Sequence, residues 1–125
     1  MSVLECVLDA KAQVGECPTW HQGEQRLYWV DAKGGRINRF DPATGENEMR
    51  DLGVLIGSFG FRRDGGLVAA TKHGFCYLDF QTGDLTAIAD PEADRPETTF
   101  NDGRTGPGGQ FFAGSMGDPI LLDRL

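Results

Sequence analysis

The chain has no basic surplus, no paired cysteine spacing and no long apolar run. Its 125 residues include 12 Lys or Arg against 19 Asp or Glu, for a net charge of −7. The basic residues are scattered, so nucleic acid and anionic membrane surfaces are not expected as partners. An acidic mouth suits a cation instead. No apolar stretch approaches the roughly 20 residues of a membrane span, and the first residues lack a basic segment followed by an apolar one. The expectation is a cytoplasmic chain with no membrane partner.

Three cysteines, Cys6, Cys17 and Cys76, show no CxxC spacing and include an odd one. They read as small buried hydrophobes, not as a disulfide frame or zinc site. The two histidines, His21 and His73, each lie beside a turn and read as solvated. No segment carries the pattern of a helix of any length.

Present in quantity are turn residues: 18 glycines and 6 prolines. One turn occurs twice, Asp41-Pro42-Ala43-Thr44-Gly45 and Asp79-Phe80-Gln81-Thr82-Gly83, each between two strand-like runs. An Asp that folds its carboxylate onto backbone N–H groups, with a Gly free to take positive φ, closes an antiparallel hairpin. A second landmark repeats with it. Apolar runs starting at Leu27, Leu67 and Phe111, each after a polar turn, recur at intervals of about 40 residues, the length of a four-stranded propeller blade. A meandering β-sandwich also has short strands and Gly-rich turns. Two landmarks repeating nearly in phase favour the propeller.

The predicted fold is therefore all-β, a β-propeller with about two to three blades in this chain, over roughly residues 15–55, 56–97 and 98–125. A propeller takes about four to eight blades to close. Either the chain is part of a longer protein, or copies of it assemble through open blade edges. The segment from Asp118 stops where another D-x-x-T-G turn is due, which favours truncation. Trp20, Trp29, Phe59, Phe61, Phe75, Phe111 and Phe112 are expected to fill the space between blades. Asp31, at a strand end, reads as turn chemistry or as a residue facing the channel.

Two segments place polar groups in Gly-flanked positions. In Gly15-Glu16-Cys17-Pro18-Thr19-Trp20, Pro18 is expected to hold Cys17 extended and so set the direction of Glu16. A hard cation takes carboxylate and amide oxygens, and Glu16 is one candidate ligand; a solvated glutamate at a surface turn is the other reading. In Thr98-Thr99-Phe100-Asn101-Asp102-Gly103-Arg104, the Asn101 amide can donate and accept at once, which suits a polyhydroxylated substrate or a metal shell. Asn-Asp-Gly also reads as a plain loop between blades.

The order G-E-x-P-x-W, L-Y-W-V-D, F-D-P-x-T-G, F-N-D-G-R and G-G-x-F-F-A-G-S-M, from Gly15 to Met116, resembles the regucalcin, senescence-marker-protein and gluconolactonase family. The resemblance implies a six-bladed propeller holding one divalent ion (Ca²⁺, Zn²⁺, Mn²⁺ or Mg²⁺) in its central channel and hydrolysing a small-molecule sugar lactone. It implies that Glu16 is a metal ligand and that Asn101 contacts substrate or metal-bound water. Two residues before Asn101, where the family usually has an arginine reaching substrate oxygens, this chain has Thr99. After A-G-S-M, where acidic residues often face the substrate, Asp118 is the counterpart. The remaining ligands, an asparagine and an aspartate that is the usual general base, are expected beyond Leu125, so no catalytic residue is assigned here. With one carboxylate for the metal, the isolated chain is expected to bind it weakly and to catalyse nothing measurable. The alternative is a non-catalytic truncated module, a calcium-binding or oligomerising remnant.

Overall fold

The structure, a computed structural model, describes residues 2–122 and is built from antiparallel sheets that follow chain order. The first sheet contains β1 (Gly15–His21), β2 (Arg26–Asp31), β3 (Arg36–Phe40) and β4 (Asn47–Asp51). The second contains β5 (Ile56–Phe61), β6 (Leu67–Thr71), β7 (Gly74–Leu78) and β8 (Leu85–Ala89). A third pairs β9 (Thr98–Thr105) with β10 (Phe111–Gly117), followed by the short helix α1 (Pro119–Leu122). No helix among the described residues is long and apolar enough to cross a membrane.

The repeated D-x-x-T-G turn joins the third strand to the fourth in both four-stranded sheets and forms the same bonds each time. Asp41 Oδ1 accepts from Ala43 N at 2.9 Å, and Asp79 Oδ1 from Gln81 N at 2.8 Å. Thr44 and Thr82 hydroxyls accept from the N–H of Glu46 and Asp84. Gly45 and Gly83 both take φ of +79° while donating to the Asp41 and Asp79 carbonyls at 2.8 Å. Each turn is thus satisfied within six residues, which is why it is readable in sequence.

The core lies between the first two sheets. Period-two alternation turns Tyr28 and Val30 of β2 to one face, where with Ile37 they pack on Ile56, Phe59, Leu67, Ala69, Leu78 and Phe80. The Tyr28 ring centroid lies 5.0 Å from Phe61 and 5.5 Å from Phe80, both edge-on. Above Phe80, at 4.4 Å, sits the Arg39 guanidinium, which pairs with Glu24 at 3.3 Å and Glu48 at 3.0 Å. The Tyr28 hydroxyl donates to Glu24 Oε1 at 2.8 Å. Burial raises the Tyr28 phenol above its ordinary value, with Arg39 and Glu24 pulling in opposite directions.

The second and third sheets meet more closely. A Cβ at Gly57 would fall 2.4 Å from the Phe100 carbonyl oxygen and 2.6 Å from Asn101 Cα, so β9 runs against the bare backbone of β5. Phe75 fills the rest, 4.8 Å from Phe100 and 6.2 Å from Phe111 between ring centroids.

Several side chains depart from expectation. Phe59, Phe61, Phe75 and Phe111 pack between sheets, but Phe112 is 64% exposed and Trp20 42%. Phe111 and Phe112 are adjacent on one strand, so only one can face the neighbouring sheet. Of the cysteines only Cys76 is buried; Cys17 is half-buried and Cys6 exposed. His73 is exposed, but His21 is half-buried and edge-on to Phe61 at 4.6 Å. Asp31 is buried, and its carboxylate accepts from Gln13 N, Val14 N and Gly34 N. Burial pushes its carboxyl up, but those three donors and Arg36 outweigh it and hold the carboxyl below its ordinary value. The segment without helical pattern forms α1, because Asp118 Oδ1 accepts from Ile120 N at 2.9 Å with Pro119 in the first turn.

Candidate metal and substrate site

The first strands of the three sheets, β1, β5 and β9, begin at the same end of the molecule, and each bulges there. In β1 the register shifts between Glu16 and Thr19, in β5 between Ile56 and Ser58, and in the third sheet between Ala113 and Ser115, opposite Asn101 and Asp102. A bulge carries an extra residue that leaves the ladder and re-aims its neighbours. Asn101-Asp102-Gly103 is therefore no loop between sheets; it lies inside β9.

The β1 bulge reverses one expectation. Cys17 takes φ of +55°, a left-handed conformation, where Pro18 was expected to keep it extended. Pairing of Glu16 with Val30 and of Thr19 with Tyr28 leaves two residues of β1 against Trp29. Cys17 absorbs the mismatch, packs against the core, and its carbonyl accepts from the Thr19 hydroxyl at 3.1 Å. Tertiary pairing thus overrides the local preference.

A cavity of about 280 Å³ opens between these bulges and brings together Glu16, Thr99 and Asn101. Glu16 is exposed and supplies the one carboxylate of the lining; Lys33 also lines it. Asn101 is half-buried. Thr99 is 4% exposed, and its Oγ1 has no hydrogen-bond partner among the described residues, which leaves a buried hydroxyl to satisfy. Met116, 39% exposed, adds an apolar face, while Ile56 and Phe100 reach the lining from the packed interior.

Asp118 is not brought to this cavity with the other three. It is buried, and its Oδ2 lies 2.7 Å from Lys72 Nζ, while the adjacent Pro119 reaches the lining. Lys72 also donates to the carbonyl oxygens of Pro96 and, at 2.8 Å, Thr98. Neither Lys72 nor Ser58, whose hydroxyl donates to the Asn101 carbonyl oxygen at 2.8 Å, carries a sequence signal. Both act across sheet boundaries.

Among the described residues no three His, Cys, Asp or Glu side chains gather. The accessible donors at the cavity, the Glu16 carboxylate and the Asn101 amide oxygen, are hard oxygens of the kind a Ca²⁺ or Mg²⁺ ion takes. They fill part of the shell, since Ca²⁺ takes about six to eight oxygens.

Comparison with known proteins gives this geometry a family. Residues 14–122 match the family model described as the SMP-30/Gluconolactonase/LRE-like region. The chain is 37% identical over 116 residues to 6-deoxy-6-sulfogluconolactonase of Pseudomonas putida, covering 93% of this chain and 40% of that protein. It is 35% identical over 117 residues to regucalcin of Xenopus laevis, covering 94% and 39%. The solved structure of a calcium-binding protein, regucalcin, from Agrobacterium tumefaciens matches with a TM-score of 0.79 and 27% identity, over 85% of this chain and 36% of that one. The chain spans 40% and 39% of the two curated relatives. Its antiparallel sheets are those of the regucalcin-like propellers. By the match over residues 14–122, this chain belongs to the SMP-30/gluconolactonase/LRE-like family.

Proposed function

We propose that this chain supplies part of the site of a divalent-metal-dependent sugar lactonase, with Glu16 as metal ligand and Asn101 and Thr99 as substrate contacts. The observation that carries the reading is the cavity joining those three residues between the bulged first strands of three sheets. A relative 37% identical is a sulfogluconolactonase, and a regucalcin of matching fold is a calcium-binding protein, which supports both the lactone and the ion.

When bound, a divalent ion supplies Lewis-acid activation of an ester carbonyl and of water. Glu16 would present a carboxylate oxygen toward it. The Asn101 amide donates to and accepts from ring hydroxyls, and Thr99 lines the same cavity beside it. Met116 offers an apolar surface to one side of the ring. No residue at the cavity is assigned as general base, and these donors leave most of the shell to other ligands, so no turnover is expected from them alone.

Calorimetric titration with Ca²⁺ and Mn²⁺, beside gluconolactone hydrolysis followed by acid release, tests the reading on wild type and Glu16→Gln. Weak binding in the wild type that is lost in the variant is expected, with no turnover in either. Equal binding in both proteins, or turnover that survives Glu16→Gln, overturns the metal role.

A further inference from the structure

We propose that Ser58 is a positioning residue for this site, its hydroxyl fixing the β9 bulge so that Asn101 faces the cavity. This rests on Asn101 serving as a substrate contact. Ser58 is 0% exposed, and its Oγ lies 2.8 Å from the carbonyl oxygen of Asn101, 43 residues away and in another sheet. That carbonyl belongs to the bulge, where Asn101 and Asp102 have no register partner between Gly103, paired with Ala113, and Phe100, paired with Ser115. A bulge removes ladder bonds, and backbone acceptors away from water need another donor. Ser58 provides one.

Space around the bond is closed on both sides. A Cβ at Gly103 would come 2.7 Å from Ser58 Oγ, and a Cβ at Gly57 would come 2.5 Å from the Asn101 carbonyl oxygen. The hydroxyl therefore occupies a slot bounded by two glycines, and β9 has little freedom to rotate within it. Lys72 holds the same strand on the other side of Thr99, through the Thr98 carbonyl. The two tethers hold the β9 backbone at Thr98 and at Asn101.

Heteronuclear NMR of the full chain, as wild type, Ser58→Ala and Ser58→Cys, tests the proposal, with Mn²⁺ titration as a second readout. Ser58→Ala removes the donor, and Ser58→Cys keeps a weak one in a similar volume. In Ser58→Ala the Asn101 side-chain amide pair is expected to shift and broaden while the Ile37 and Leu67 backbone amides stay in place. Mn²⁺ affinity, which rests on Glu16, is expected to stay unchanged, and Ser58→Cys is expected to recover part of the amide shift. An Asn101 amide pair that does not move in the alanine variant, or shifts spread equally through both sheets, overturns the proposal. If the wild type takes up no Mn²⁺, the metal reading fails by itself, and the Asn101 amide still reports on Ser58.

Discussion

Lys72 and Asp118 form an ion pair of 2.7 Å that ties the turn after β6 to the start of α1. Side-chain exposures of 19% and 5% leave the ammonium partly buried and the carboxylate buried. Replacing Lys72 by Met takes the cation from a buried carboxylate and two backbone acceptors, a change that costs about 3 kcal/mol. Lys72→Arg keeps the charge. Urea unfolding should show the midpoint falling in the first variant and largely held in the second.

Two glycines should respond to the same substitution for different reasons. Gly83 has φ of +79° and only Arg50 side-chain atoms within 4 Å of an added Cβ, the nearest at 3.7 Å, so Gly83→Ala costs about 1 kcal/mol of backbone strain. Gly57 has no positive φ but abuts the β9 backbone. Gly57→Ala should cost about 3 kcal/mol and displace β9. Thermal unfolding orders the two, and loss of the Phe75–Phe100 contact in NMR marks the second.

Ile37 is fully buried and Phe112 64% exposed. Ile37→Ala should lower stability by about 2–5 kcal/mol. Phe112→Ser should change it by about 0.5 kcal/mol or less. Denaturant midpoints of the two variants check the contrast.

Asp31 links folding to acid. Its carboxyl is held below the ordinary value of 3.8 in the folded chain. The unfolded chain therefore binds the proton first as pH falls. The stability it contributes is present above the unfolded value and is lost as pH drops through the folded one. Asp31→Asn should lower stability at neutral pH and flatten its decline below about pH 4, as read from urea unfolding across an acid series.

What the sequence revealed follows the range of the interactions concerned. The D-x-x-T-G turns close through bonds between residues two to five apart, so their residues announce them. Glu16 and Asn101 are legible through ordered motifs and Thr99 as a departure from one, and the structure places all three at one cavity. Cys17 departs from the Pro18 rule because its φ is set by pairing with β2. Asn101-Asp102-Gly103 looks like a turn whether it lies in a loop or in a bulge; only β10 decides. Trp20 and Phe112 carried no sign of which strand face they occupy, and Ser58 and Lys72 act on partners 43 and 26 residues away.

The recurrence of a bulge in all three first strands makes each sheet a candidate donor arm built to one pattern. Glu16 and Asn101 occupy that level in the first and third sheets, and Gly57 holds it in the second. Because any side chain at 57 would strike the β9 backbone, the middle arm cannot be recruited as a ligand without moving its neighbour apart. Duplication of a strand thus supplies more positions than the spacing of backbones allows to be armed, and the composition of the site is set as much by which arm must stay bare as by which carries oxygen.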